Sequence, residues 1–329
     1  VEGAIGDPST NRVRRVLMPE VSIIIPTYNS AAFIMDAVAS VRRAVDGLSH
    51  EIILVDDRSP DVHILRAVTA RVPHLRIIEK AAKGNAAESR NLGIAASTGD
   101  YIFLLDSDDA FLPEHIARRV ALHVRSGCGI LFGRYRARNA YRTFDVRLPL
   151  YQGDMHQYLF CLNGDVRSST ISLCRSRYRG TTFDGLQAKH QDWGFALRAA
   201  RNGETLGFDE GYGAVIDSSV NGGRMSNVLN IPASQYFLNS YISEPRHRRG
   251  FAMNHLRVVL KNNDKVATAF VHRVLIDSLR DASLLERLGY APAVLLTSPN
   301  LALPARLAMR MLAAARAFSI KGYRKIIPS

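Results

Sequence analysis

Three strand-length apolar runs, each breaking off at polar residues, constrain the fold of this 329-residue chain more than any other feature. Residues 21–25 run into Pro26-Thr27-Tyr28-Asn29, and residues 51–55 into Asp56-Asp57-Arg58-Ser59. Residues 101–105 form the third run and end at Asp106-Ser107-Asp108-Asp109, while residues 75–79, Leu-Arg-Ile-Ile-Glu, read as a further strand between the second and third runs. Near-continuous apolar runs of this length belong to strands buried on both faces. Between them, residues 31–45, 61–72 and 88–96 read as helices, the last closed by Ser97-Thr98-Gly99. Strands joined by helical crossovers imply a mostly parallel sheet with right-handed connections. Open α/β sheets bind ligands beyond the carboxyl ends of their strands. Thr27-Tyr28-Asn29, Asp56-Asp57 and Asp106 to Asp109 are therefore expected to converge on one crevice.

The carboxylates after the fourth strand carry the first chemical signal. Asp106, Asp108 and Asp109 repel one another unless a cation neutralises them. Hard divalent ions such as Mg²⁺ and Mn²⁺ take carboxylate oxygens together with substrate phosphates. A metal–diphosphate site on a strand end is one reading; acidic caps for a helix beginning near Asp109 are the other. No Gly-x-Gly-x-x-Gly follows the first strand, and no Walker phosphate loop occurs anywhere. Metal and side chains must then hold the phosphates, as suits a nucleotide whose diphosphate is a leaving group.

These pieces resemble the family 2 glycosyltransferases, which have the GT-A fold. The resemblance rests on residues 21–29, on Ile53-Leu54-Val55-Asp56-Asp57-Arg58-Ser59 and on Ser89-Arg90-Asn91-Leu92-Gly93-Ile94. Thr98-Gly99-Asp100-Tyr101 and Asp106-Ser107-Asp108 complete it. The five pieces stand in the family's order across residues 20–115. Residues 116–215 fit less tightly, and nothing beyond about 230 carries a likeness. The implied fold is an α/β GT-A domain over 20–230, with a nucleotide-binding half (20–115) and an acceptor half (116–230). An N-terminal extension (1–19) precedes it, and a basic, helical C-terminal region (231–329) follows.

The resemblance also implies roles. Pro26 and Tyr28 line the nucleobase pocket, flanked by Thr27 and Asn29. Asp57 accepts a hydrogen bond from the base, and Asp56 supports the same loop. Arg90 lies near the nucleotide. Asn85 stands where the family often has glycine and is expected to approach the nucleotide, with Gly84 left to make the tight turn. Asp106, with Ser107 beside it, reaches the ribose or a metal-bound water, and also stands as a second metal ligand. Asp108 coordinates the divalent metal, Mg²⁺ or Mn²⁺. The family's base sits in a Glu-Asp pair opening a helix; here the match is Gln191-Asp192-Trp193, so Asp192 is the expected general base and Gln191 replaces the glutamate. The competing reading makes Asp192 an N-cap for a helix over 193–202. Both can hold together. Arg224, in Asn221-Gly222-Gly223-Arg224-Met225-Ser226-Asn227, stands where relatives have a mobile loop over the donor. It is expected at the diphosphate, helped by residues 217–219; an ordinary surface loop is the alternative.

The implied reaction moves one sugar from a nucleotide-diphospho-sugar, with UDP as the family's commonest nucleotide, to a hydroxyl acceptor with inversion. The transition state resembles an oxocarbenium ion, charge grows on the departing phosphate, and the acceptor needs a base. An ordinary aspartate pKa of about 4 is low for that task, and burial beside Trp193 is expected to raise it. Acceptor specificity is placed in loops at roughly 130–190. A nucleotidyltransferase of related fold and a non-catalytic nucleotide-sugar-binding scaffold are the alternatives. The first is disfavoured by Pro26-Thr27-Tyr28-Asn29 in place of a glycine- and lysine-rich loop, the second by intact Asp106, Asp108 and Asp192.

Three cysteines show no disulfide or zinc spacing, which fits a reducing compartment. No signal peptide or transmembrane run is evident, and the Gln-x-x-Arg-Trp motif of processive synthases is absent, so single addition is expected. Of the net charge of +13, residues 246–329 supply +11, from 15 Lys plus Arg against four acids. A helix from Pro304 to about Ser319, with Leu307, Met311 and Phe318 on one face, suits an anionic bilayer. A solvated bundle or dimer helix is the alternative. This places the protein in the cytoplasm or on the inner face of the membrane, with peripheral contact through 300–329 and a glycan or lipid-linked acceptor. Aromatic residues are not interleaved with the basic ones, so nucleic acid is not an expected partner. Oligomeric state is not legible.

Overall fold

The computed structural model describes residues 20–45, 47–218 and 228–298. The N-terminal extension, Arg224 with its loop, and the helix expected from Pro304 lie outside these residues.

The first unit comprises residues 20–158 and 164–218 of those described. β1 (Val21–Thr27) is buried at all seven positions, as a central strand covered on both faces must be. β2 (His50–Asp56) and β3 (Leu75–Glu79) pair with it in parallel succession on one side, and β4 (Tyr101–Leu104) pairs in parallel on the other. Connecting them are α1 (Ile34–Ala44), α2 (Val62–Thr69) and α3 (Ala86–Ala96). α3 lies close on β1 because Gly93 faces Ile24: a Cβ there would come 2.2 Å from the Ile24 Cγ2.

The rest of the unit adds β5 (Ala110–Phe111), α4 (His115–Ser126), β6 (Ile130–Gly133), β7 (Tyr135–Arg138), β8 (Thr143–Val146), β9 (Ser172–Cys174), α5 (Gln191–Arg201), β10 (Leu206–Asp209) and β11 (Ala214–Asp217). The main sheet runs β10-β6-β9-β4-β1-β2-β3, and a second sheet runs β5-β11-β7-β8. The main sheet is mixed: β9 is antiparallel to both β4 and β6. Two expectations are corrected. No helix begins at Asp109; the chain extends into β5, and α4 starts six residues later, with Glu114 at its N-cap making no side-chain cap bond. Nor does Asp192 cap a helix over 193–202. It lies in the first turn of α5, whose N-cap is His190 in the left-handed region at φ 61°.

The second unit holds α6 (Ile231–Tyr241), α7 (Pro245–Asn262), α8 (Lys265–Ser278) and α9 (Leu284–Thr297), together with residues 159–163. Asn230 and Asp264 cap α6 and α8 through their side chains, and Ser283 and Glu286 form a capping box on α9. Phe160 packs against Phe237 and Phe251. Among the described residues no helix is long and apolar enough to cross a membrane.

Candidate active site

One end of the candidate site is set by two adjacent strand ends. Pro26 and Thr27 are buried within β1, and Thr27 Oγ1 donates to Asp56 Oδ1 at 3.4 Å. Asp56 also accepts from the Ser59 amide (2.9 Å) and hydroxyl (2.5 Å). These three groups brace the loop internally, so the surface it offers comes from Tyr28, 48% exposed, and from exposed Asn29. Asn29 takes φ 51° and donates its amide to Ser59 Oγ at 3.0 Å, a backbone that asparagine tolerates better than most residues.

Asp57 follows directly. Its carboxylate accepts from Lys80 Nζ (2.8 Å) and the Gly84 amide (2.8 Å), with Lys83 Nζ at 3.1 Å. Burial alone would push this carboxyl up, but those donors outweigh it and hold it below the usual range. Lys83 also sits over the Tyr28 ring, a cation–π contact. Nothing in the sequence pattern singled out Lys80 or Lys83.

Asn85 caps α3 and ties it to the loop at 185. Its Oδ1 accepts from the Ala87 and Glu88 amides, capping α3, and its Nδ2 donates to the Gly185 carbonyl at 2.6 Å. The amide is spent on the helix end and on the loop at 185.

Arg90 joins the two halves. Its side chain is 6% exposed. One nitrogen donates to Asp106 Oδ1 at 2.6 Å and another to Gln191 Oε1 at 2.9 Å, and its guanidinium lies over the Phe183 ring. Burial works against the charge, yet Asp106 and Asp192 more than offset it, so Arg90 stays cationic. Gln191, standing where a glutamate was expected, is satisfied at both ends, since its Nε2 donates to the Gln187 carbonyl at 2.9 Å.

The three acids after β4 are placed differently. Asp109 turns into the core, where Ser169 Oγ donates to its Oδ2 (2.6 Å) and the Asp217 amide to its Oδ1 (3.0 Å). Burial, reinforced by Asp106 and Asp108, pushes its carboxyl well above the ordinary value. Its two hydrogen bonds hold Asp109 in the core beside the other two acids. Half-buried Asp106 and Asp108, with Ser107 between them, remain at the strand end. Among the described residues no three His, Cys, Asp or Glu side chains gather at metal-binding range. Two carboxylates nonetheless suit an ion that completes its shell with phosphate and water oxygens. Asp217, expected to help at the diphosphate, pairs with Arg138 at 3.1 Å.

Asp192 enters from α5. Ser168 Oγ donates a short hydrogen bond to its Oδ1. Burial pushes this carboxyl up; Arg90 pulls it down, Asp106 adds to the rise, and Ser168 and Arg167 oppose it, with a net upward shift. Beside it, Trp193 Nε1 donates to Asp165 Oδ1 at 2.8 Å. The adjacent Ser169 hydroxyl accepts from the Asp106 amide at 3.0 Å. Two neighbouring buried serines thus brace the strand end and Asp192 from one short turn. Ser168-Ser169-Thr170 reads in sequence as an unremarkable polar triplet. Arg90 lies within electrostatic reach of both Asp106 and Asp192; an ionised carboxylate such as Asp192 can accept a proton, and Asp106 and Asp108 can attract cations.

Residues 22–200 match the family model described as Glycosyl transferase family 2. The chain is 29% identical over 194 residues to the amylovoran biosynthesis glycosyltransferase AmsB of Erwinia amylovora, covering 55% of this chain and 64% of that one. The matches cover 29% and 30% of the length of two further relatives. Among solved structures, S. aureus TarS in complex with UDP-GlcNAc aligns with TM-score 0.57 at 16% identity, over 84% of this chain and 86% of that one. The mannosyltransferase PcManGT from Pyrobaculum calidifontis, in complex with GDP-Man and Mn²⁺, aligns with TM-score 0.50 at 17% identity, over 97% and 94%. At such identities the likeness is one of fold, that of the GT-A glycosyltransferases.

Proposed function

Since the chain belongs to glycosyl transferase family 2, we propose that it transfers one sugar from a nucleotide-diphospho-sugar to an acceptor hydroxyl, inverting the anomeric carbon. The acceptor is a glycan or lipid-linked saccharide of surface polysaccharide assembly, as the name of the amylovoran relative suggests. A UDP-sugar is the favoured donor, by analogy with the UDP-GlcNAc bound to TarS; GDP-Man in the other neighbour marks the competing nucleotide. The carrying observation is the Arg90 bridge from Asp106 to Gln191, which brings Asp192 to face the strand-end carboxylates.

In this reading Tyr28 and Asp57 receive the base, and Lys80, Lys83 and the Gly84 amide hold Asp57 ionised to accept from it. Asp106 and Asp108 would hold a divalent ion, Mg²⁺ or Mn²⁺, which stabilises charge on the departing diphosphate. Arg90 orients Asp106. Asp192 Oδ2 takes the acceptor proton as the hydroxyl attacks the anomeric carbon opposite the departing diphosphate, while Ser168 holds Oδ1. Its raised pKa brings the base nearer the working pH, which favours proton transfer. Arg224 is assigned to the diphosphate.

The test is Asp192→Asn, which preserves shape and removes the base. Transfer to acceptor should fall by roughly 10²- to 10⁴-fold, with nucleotide affinity kept. Undiminished turnover would remove Asp192 from the mechanism.

A further inference from the structure

We propose that the β7–β8 hairpin is a membrane-docking element that seats on an anionic phospholipid bilayer. Register pairs Tyr135 with Val146, Arg136 with Asp145, Ala137 with Phe144, and Arg138 with Thr143. Strand alternation then splits the hairpin by face. Tyr135, Ala137 and Val146 join a small apolar cluster with Leu148, which anchors the inner face. The outer face and tip are left to arginine.

Residues 134–147 contain Arg134, Arg136, Arg138, Arg142 and Arg147, no lysine, and Asp145 as the sole acid. Arg136 pairs with Asp145 and Arg138 with Asp217. Arg142 and Arg147 are exposed and have no carboxylate partner among the described residues. Arginine suits phosphodiester headgroups, because its planar fork bonds phosphate oxygens bidentately.

The tip adds an apolar component. Tyr141 is 95% exposed. It is held there by an ordered turn, in which Asn139 Oδ1 accepts from the Tyr141 and Arg142 amides. Phe144 is also exposed, and the Arg142 guanidinium lies 5.6 Å from its ring centroid. An exposed amphipathic tyrosine next to Arg142, with further arginines along the hairpin, fits the headgroup boundary, with the ring at the interface and the charges on phosphate.

The root of the hairpin leads to the candidate base. Tyr135 donates to Asp165 Oδ2 at 2.7 Å, and Asp165 Oδ1 accepts from Trp193, next to Asp192. A bilayer on the hairpin would therefore bring a lipid-linked acceptor toward α5. That consequence rests on the reading of Asp192; the docking itself does not.

The experiment is co-sedimentation of the full chain with phosphatidylcholine vesicles, with and without phosphatidylglycerol. Wild type should bind only the anionic vesicles. The Tyr141→Ser/Arg142→Ser/Arg147→Ser variant should lose about tenfold or more in partitioning, with its nucleotide-induced thermal shift unchanged. Independently, Tyr141→Trp should gain fluorescence quenching by brominated lipid over the wild-type baseline, which reports Trp193 alone. Absence of wild-type binding, equal binding of the variant, or no added quenching in Tyr141→Trp would each overturn the proposal. So would loss of binding to a single-stranded oligonucleotide with vesicle binding intact, which would mark a nucleic-acid surface. Vesicle binding without turnover would separate this proposal from the catalytic one.

Discussion

Ser168 illustrates how one hydroxyl can tune chemistry it does not perform. Its hydrogen bond stabilises the ionised form of Asp192 against a burial penalty that pushes the other way. Removing the donor should raise the carboxyl further. Because a general base works deprotonated, the acid limb of the pH–rate profile should move to higher pH in Ser168→Ala. KM for the donor should stay constant, and Ser168→Thr should restore the profile. A lowered kcat with an unmoved limb would mean that Ser168 serves packing alone. Asp109 carries the same lesson: it reads as a ligand by position, yet Ser169 and the Asp217 amide draw it into the core.

Among the elements, α4 is held to the sheet by buried polar contacts rather than by apolar surface alone. Arg119 is wholly buried and donates to Asp209 at 2.7 Å. His123 is fully buried, with Nδ1 2.9 Å from the Cys128 carbonyl and Nε2 2.9 Å from Ser172 Oγ. Nδ1–H donating and Nε2 accepting satisfy both contacts with a neutral ring. Burial pushes this imidazole down to about 4, against roughly 6.5 in an unfolded chain. Between those values the unfolded chain binds a proton that the folded one refuses, so stability falls as pH falls through the window. The linkage amounts to about 3 kcal/mol when complete. Buried His115 shifts in the same direction. Urea midpoints should therefore drop between about pH 7 and about pH 4.5, with a shallower slope in His123→Gln; identical slopes would exclude His123 as a source of the linkage.

Across the whole molecule, two compact units share one chain, and residues 159–163 belong with the helical one. Asn254 Nδ2 donates to the Leu159 carbonyl at 3.2 Å, and a Cβ on Gly250 would stand 1.8 Å from the Phe160 carbonyl oxygen. Gly250→Ala should cost about 3 kcal/mol, the upper range for overpacking, and expose 159–163 to protease. An unchanged melting temperature and digest would show that the segment yields without cost. Nucleotide binding is read on the same scale. A ligand that binds only the folded state raises the melting temperature, so UDP, GDP and dTDP, each with and without Mn²⁺, should rank the donor class. A metal-dependent shift with one nucleotide is the expected outcome, and no shift with any would count against the donor site. The local pattern by itself determined β1 to β4, the polar residues that follow them and the family; β5 to β11 were not legible in it. β1 and β4 are legible because burial on both faces leaves a near-continuous apolar run, and the Asp106-Ser107-Asp108 turn because such a run breaks off there; β3, at the sheet edge and only partly buried, carries the mixed pattern Leu-Arg-Ile-Ile-Glu. Only the tertiary structure decided that Arg90 spans 101 residues to Gln191, that Ser169 spans 60 to Asp109, and that Asn85 caps a helix. Periodicity encodes which face of an element is buried; it carries no record of which polar groups, distant along the chain, meet once those faces pack.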